Sequence, residues 1–216
     1  MDFTVHNQVL LAVFVVAAIM GAVVNKTNFC TMGAVSDWVN IGDTGRMRAW
    51  LFAMALALIG VLGLESTATV SLGSNTFPPY RTAQFAWLRY IVGGLLFGIG
   101  MTLASGCGNK TLVRVGNGNL KSLVVLVVAA IAAYFMLWSA LFEKAFVPWI
   151  AATTINLSNY GMPDQQLSTV LAGMFGMKSA AGFQLAVAVA VAAAMFAFVF
   201  NSEDFRGSRD NILGGG

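Results

Sequence analysis

The chain has 216 residues, of which 58% are hydrophobic and only 10% charged, and its mean hydropathy is +0.77. A soluble domain carries about 25% charged residues, so a soluble globular enzyme is excluded, and so is disorder, which needs low hydrophobicity and high charge. What remains is a polytopic protein whose solvent is mostly lipid, and the net charge of +3 then bears on orientation rather than on a nucleic-acid partner.

Taken in chain order, the first apolar stretch is Val9 to Val24. Asp2 and no Lys or Arg precede it, so it reads as a retained helix and not a cleaved signal. Ala49 to Leu64 predicts a second crossing, Tyr90 to about Ala104 a third, Ser122 to Phe142 a fourth and Ser179 to Asn201 a fifth. The first three fall short of the roughly 20 residues a crossing needs, so each borrows a turn from its polar flanks. Ser71 to Gln84, with Pro78-Pro79, reads as a surface loop, and Gly116-Asn117-Gly118-Asn119 as a turn before the fourth helix. Lys144 to Gln166, with Pro148, Trp149, Tyr160 and Pro163, suits an interfacial segment with aromatic anchors. Leu167 to Met177 is apolar but too short to span, which leaves an interfacial or a re-entrant helix. Asp37, beside Trp38, reads as a group at the water interface in preference to a short re-entrant helix.

Two segments break the apolar pattern in the same way. One runs from Gly21 to Ala34 through Asn28-Phe29-Cys30-Thr31, the other from Gly98 to Thr111 through Ser105-Gly106-Cys107-Gly108-Asn109-Lys110. In both, a glycine precedes the cysteine by nine positions and follows an apolar run. The pattern predicts an internal repeat of helix, cysteine segment and helix, with units over about 8–70 and 85–145. The fold expected is therefore all-α: a single transmembrane domain over residues 1–216, with about five transmembrane helices plus short re-entrant or interfacial ones. The closing glycine run, Gly214 to Gly216, reads as a lead into a further helix, so the chain is expected to be the N-terminal portion of a longer architecture or a subunit needing a second membrane half.

If the helices alternate, one side of the membrane receives Lys26, Arg46, Arg48, Lys110, Arg114, Lys121, Arg206 and Arg209. The other receives Arg81, Arg89, Lys144 and Lys178. The richer side is cytoplasmic by the positive-inside rule, which places the N-terminus outside and the C-terminus inside.

The chemistry available is narrow. The two cysteines, Cys30 and Cys107, form no CxxC, and the one histidine, His6, lies near the N-terminus, so no metal centre and no cofactor are expected. A cysteine nucleophile would lack a base, which argues against catalysis. No GxxxxGK[ST] cradle is present for a nucleotide. Cysteine in a membrane helix is ordinarily a small buried hydrophobe. Two of them in matching glycine-rich breaks leave a second reading open beside that one. If they lie at membrane depth they are candidates for the wall of a pathway, because irregular backbone there is tolerated where it is buried in protein or lines a cavity. Gly106 and Gly108 free the backbone around Cys107. Lys26, Lys110 and Arg114 flank the segments either as topological anchors or as an electrostatic attractor for an anion.

The segments Asn28-Phe29-Cys30-Thr31-Met32-Gly33-Ala34 and Ala104-Ser105-Gly106-Cys107-Gly108, with Leu112 to Asn119 and the closing Asn211 to Gly215, resemble the YeeE/YedE sulfur-transport family. The resemblance implies a bacterial inner-membrane protein that imports thiosulfate or a related small sulfur-containing anion. It implies short helices brought to the centre from both sides, with cysteines along the path, Cys30 towards the outside and Cys107 at the centre. Asn28, Gly106, Gly108 and Asn109 would shape the site. Longer members carry a further cysteine in their second half, which this chain does not. A cytoplasmic sulfurtransferase would be a natural acceptor. Two other readings stand beside this one: a membrane thiol–disulfide carrier in which Cys30 and Cys107 form and break a bond, and a structural membrane subunit.

Overall fold

The computed structural model describes residues 3–67, 82–174 and 181–216. The chain is helical almost throughout. Helix α1 spans Phe3–Thr27, α2 Thr31–Ile41, α3 Gly45–Ser66, α4 Trp87–Leu103, α5 Gly108–Gly116 and α6 Leu120–Trp138. The shorter α7 (Ala140–Ala145), α8 (Val147–Thr153) and α9 (Leu167–Met174) follow, then α10 (Ala181–Phe200), α11 (Glu203–Gly207) and α12 (Arg209–Gly215). Two three-residue strands, β1 (Gln84–Ala86) and β2 (Thr154–Asn156), are the exception to an all-α chain.

Among the described residues, five stretches are long and apolar enough to cross a membrane: Val5–Ile41, Gly45–Glu65, Trp87–Gly116, Leu120–Trp138 and Gly182–Phe200. The first and third each contain a long helix, a break and a short helix. Along α1, Leu11 and Phe14 remain 65% and 69% exposed, and their neighbours on every side are similar. So large an apolar surface is stable only against lipid. The protein is an all-α, multi-pass membrane protein.

Several expected boundaries shift. The first three helices do extend into their polar flanks, as a crossing requires. The fourth stops at Trp138 instead of Phe142, because Ser139 breaks the run and caps α7 by accepting from Leu141 N at 3.2 Å. Asp37 lies inside the short helix α2, where it pairs with Arg46. Most of the loop expected from Ser71 to Gln84 lies outside the described residues, as do Arg81, Lys178 and the end of the segment from Leu167 to Met177.

Packing divides the chain into two compact units. One comprises Met1–Ala53, Met101–Ala129 and Phe198–Gly216. Its core is Ala49, Val199 and Phe205, wrapped by Phe29, Leu51, Phe52 and Ile212. Arg48 donates to the carbonyls of Phe198 and Val199, groups left without helical partners at the end of α10, and its guanidinium lies 4.5 Å from the Phe198 ring. The Ser202 and Ser208 hydroxyls cap α11 and α12. The chain's last turn is thereby folded back: a side chain at Gly215 would meet Ala49 O at 2.5 Å.

The other unit comprises Met54–Gly100 and Ala130–Ala197. There β1 and β2 pair antiparallel, Phe85 opposite Ile155, and Leu157 N extends the ladder to Ala83 O. Tyr90 donates to Gln165 Oε1 at 3.0 Å, which ties α4 to the segment before α9.

Candidate functional site

Both cysteines stand at helix starts. Cys30 is the N-cap of α2 and Cys107 the N-cap of α5, each in extended backbone. An N-cap is ordinarily Ser, Thr, Asp or Asn, whose oxygen accepts a first-turn N–H. Neither thiol makes such a bond. The first-turn N–H groups of two helices, of 11 and 9 residues, are therefore not taken up by the capping side chain.

The breaks before the cysteines also match. Two residues ahead of each lies a non-glycine residue in the left-handed region, Asn28 at φ 51° and Ser105 at φ 57°. At the end of α4 the cause is explicit. Ser105 N donates to Thr102 O and Gly106 N to Met101 O, the paired bonds of a Schellman cap, in which the left-handed position normally takes glycine. Arg114, one and a half turns into α5, donates to Ser105 O at 2.9 Å and ties the short helix to the break that precedes it. Around Cys30 the ties run to α3. Phe29 stacks on Trp50 with ring centroids 6.0 Å apart, and the Arg46 guanidinium pairs with Asp37 of α2.

Bringing α2 and α5 into place brings the sulfurs together. Cys30 Sγ and Cys107 Sγ lie 3.5 Å apart across 77 residues of chain, both as free thiols. Cys30 is 4% exposed and Cys107 is half-buried. Of the other residues read from the sequence, Asn28 is exposed and accepts from Lys110 Nζ at 3.0 Å. Gly106 is buried, and a Cβ there would lie 3.6 Å from the Lys110 stem. Gly108 opens α5 with free space around it, and Asn109 is half-buried in its first turn. All six thus fall in one unit, around one pair of helix starts.

Sequence reasoning missed four contributors: Asn25, Ser105, Val113 and Asn117. Asn117 Nδ2 donates to Asn25 Oδ1 at 2.9 Å. A signal was present, since Lys110, Val113, Arg114 and Asn117 follow the i, i+3, i+4, i+7 spacing of one helical face. With Val24 and Asn25 of α1 and Asn28 of the break that follows it, they line a pocket of about 260 Å³. Lys26 is not part of its lining.

A chain whose crossing helices break at capped, cysteine-bearing turns has the construction of membrane transport proteins, in which discontinuous helices build sites. It belongs to the sulphur transport family, whose profile matches residues 26–210. It is similar to the thiosulfate transporter TsuA of Escherichia coli (strain K12), at 28% identity over 119 residues, 55% of this chain and 32% of that protein. The match therefore spans about a third of that relative's length.

Proposed function

We propose that the protein carries a small sulfur-containing anion of the thiosulfate type across the bacterial inner membrane, with Cys107 and Cys30 as path residues. The observation that supports this most is the thiol pair, 3.5 Å apart at the starts of two short helices. An unpaired anion in hydrocarbon is prohibitively costly. First-turn N–H groups of α2 and α5 provide the main attraction, as helix N-termini do for anions generally. A neutral thiol is a weak donor, so it holds a soft terminal sulfur without trapping it. Passage requires this balance, with binding strong enough to enter and weak enough to leave. Asn28, Gly106, Gly108 and Asn109 shape the backbone around the thiols. The matching breaks at Asn28 and Ser105 support an internal repeat, and the basic residues of α5 favour a cytoplasmic face for that end, with the N-terminus outside. Further membrane segments or a second subunit would complete the path, and a cytoplasmic sulfurtransferase would accept the anion.

Uptake of radiolabelled thiosulfate by cells lacking other sulfate and thiosulfate importers tests this. Cys107→Ala is expected to abolish uptake while the protein stays in the membrane. Near-normal uptake in that variant would refute the reading.

The same sulfur contact favours a second reading, a thiol–disulfide carrier that cycles between the free thiols and a Cys30–Cys107 bond. Thiol trapping in intact cells separates the two. A carrier shows a population in which both cysteines resist alkylation until reduction, whereas an anion path keeps both thiols free during uptake.

A further inference from the structure

We propose that the pocket between the end of α1 and one face of α5 is an anion site distinct from the thiol pair, and that it takes the oxyanion end of a small tetrahedral anion. That the anion is a sulfur oxyanion rests on the transport reading above.

The lining is Lys110, Val113 and Arg114 from α5 with its C-cap Asn117, and Val24 and Asn25 from α1 with Asn28 of the break after it. It holds two cations, three amides and no carboxylate. Among the described residues, neither cation has an acidic partner: Lys110 is bonded to Asn28 Oδ1 and Arg114 to Ser105 O. An ammonium has three N–H donors and a guanidinium five, so each keeps donors beyond its recorded bond. The volume, about 260 Å³, is several times the roughly 30 Å³ that one water occupies in the liquid, which leaves room for a hydrated or bare tetrahedral anion.

Topological anchoring accounts for basic residues near a membrane face, but it requires neither a shared pocket nor amide partners. Lys110 and Arg114 are half-buried, one turn apart, beside the exposed Asn25–Asn117 amide pair. Guanidinium and ammonium groups favour hard oxygen ligands, and arginine in particular matches the geometry of tetrahedral oxyanions. The thiols have the opposite preference. Asn28 lies two residues before Cys30 and Lys110 three after Cys107, so the pocket and the thiols are built on the same two helix junctions, while neither cysteine lines the pocket.

Inorganic sulfate separates the two sites, because it is an oxyanion with no terminal sulfur for the thiols. Equilibrium dialysis of radiolabelled sulfate against the purified full chain in detergent, at low ionic strength where screening is weak, is expected to show saturable binding of one anion per chain. Lys110→Gln and Arg114→Gln should each weaken it by at least about tenfold. Lys110→Arg, which keeps the charge, should stay within a few-fold of the wild type. Arg206→Gln, the same loss of charge on the exposed side of α11, should leave binding unchanged. The proposal is overturned by absence of saturable binding in the wild type, by binding that survives Lys110→Gln, or by equal weakening in Arg206→Gln. Arg114→Gln also unties α5 from Ser105, so if that variant does not fold, Lys110→Gln alone decides. Sulfate binding that depends on Lys110 in a protein that takes up no thiosulfate would sink the transport reading and leave this site standing; thiosulfate uptake that depends on Cys107 without sulfate binding would do the reverse.

Discussion

Ser105 sits at φ 57°, a conformation that costs an L-residue about 1–2 kcal/mol and that asparagine tolerates better than serine. The Schellman cap of α4 imposes it, and Arg114 holds the Ser105 carbonyl from the other side. Ser105→Gly should therefore raise the midpoint of thermal unfolding in detergent, with a gain of about 1 kcal/mol after the extra freedom of glycine in the unfolded chain is set against it. Ser105→Val, β-branched at the same φ, should lower the midpoint, for a loss of about 1–2 kcal/mol. Equal midpoints in all three proteins would mean that the left-handed position carries no strain. The sequence showed the cysteines and their glycine spacing, but it did not reveal this residue. Serine has no marked preference for the left-handed region, so its conformation is set by the cap of α4 and the Arg114 contact.

At the scale of elements, short helices are held to long ones by a few specific contacts. Helix α12 lies against α3 so closely that a Cβ on Gly215 would sit 2.5 Å from Ala49 O and 2.8 Å from the Phe52 ring. Backbone on both sides leaves little room to yield, so Gly215→Ala should cost about 1–3 kcal/mol. Gly207→Ala, where nothing lies within 4 Å, should be close to neutral. Chemical denaturation of the two variants in detergent checks the difference, and equal stability would mean that α12 does not pack as described. Helix α2 depends on the Asp37–Arg46 pair, whose side chains are 15% and 30% exposed. Asp37→Asn removes the carboxylate and leaves Arg46 only partly solvated, a loss of roughly 1–3 kcal/mol. Its signature should be faster alkylation of Cys30, since α2 carries that thiol at its first turn.

For the molecule as a whole, the decisive contact is between residues 77 apart, the two sulfurs at 3.5 Å. A disulfide needs about 2.05 Å between sulfurs and Cα atoms within about 7 Å. A mild oxidant should therefore link Cys30 to Cys107 within one chain, read as two alkylation sites lost from the intact mass and regained on reduction. The linked protein lacks both S–H donors and should lose uptake until it is reduced. Failure to link under oxidation, with both thiols open to alkylation, would place the breaks apart and remove the support for a shared site.

Composition and hydropathy by themselves determined that this is an all-α, multi-pass membrane protein with about five stretches apolar enough to cross, because lipid demands long runs whose backbone bonds are satisfied internally. Two cysteine segments in matching glycine-rich breaks were legible too, as was their likeness to a sulfur-transport family, since both rest on residue type and spacing. Only the tertiary structure decided that Ser139 ends the fourth helix, that Gly214 and Gly215 close the short helix α12, and that Asp37 belongs to a short helix paired to α3. It alone joined Cys30 to Cys107 and set Lys110 and Arg114 opposite Asn25 and Asn28. Hydrophobic period fixes which segments enter lipid. It says nothing about which helix junctions meet, because that depends on left-handed caps, close glycine contacts and side-chain hydrogen bonds between residues far apart in the chain.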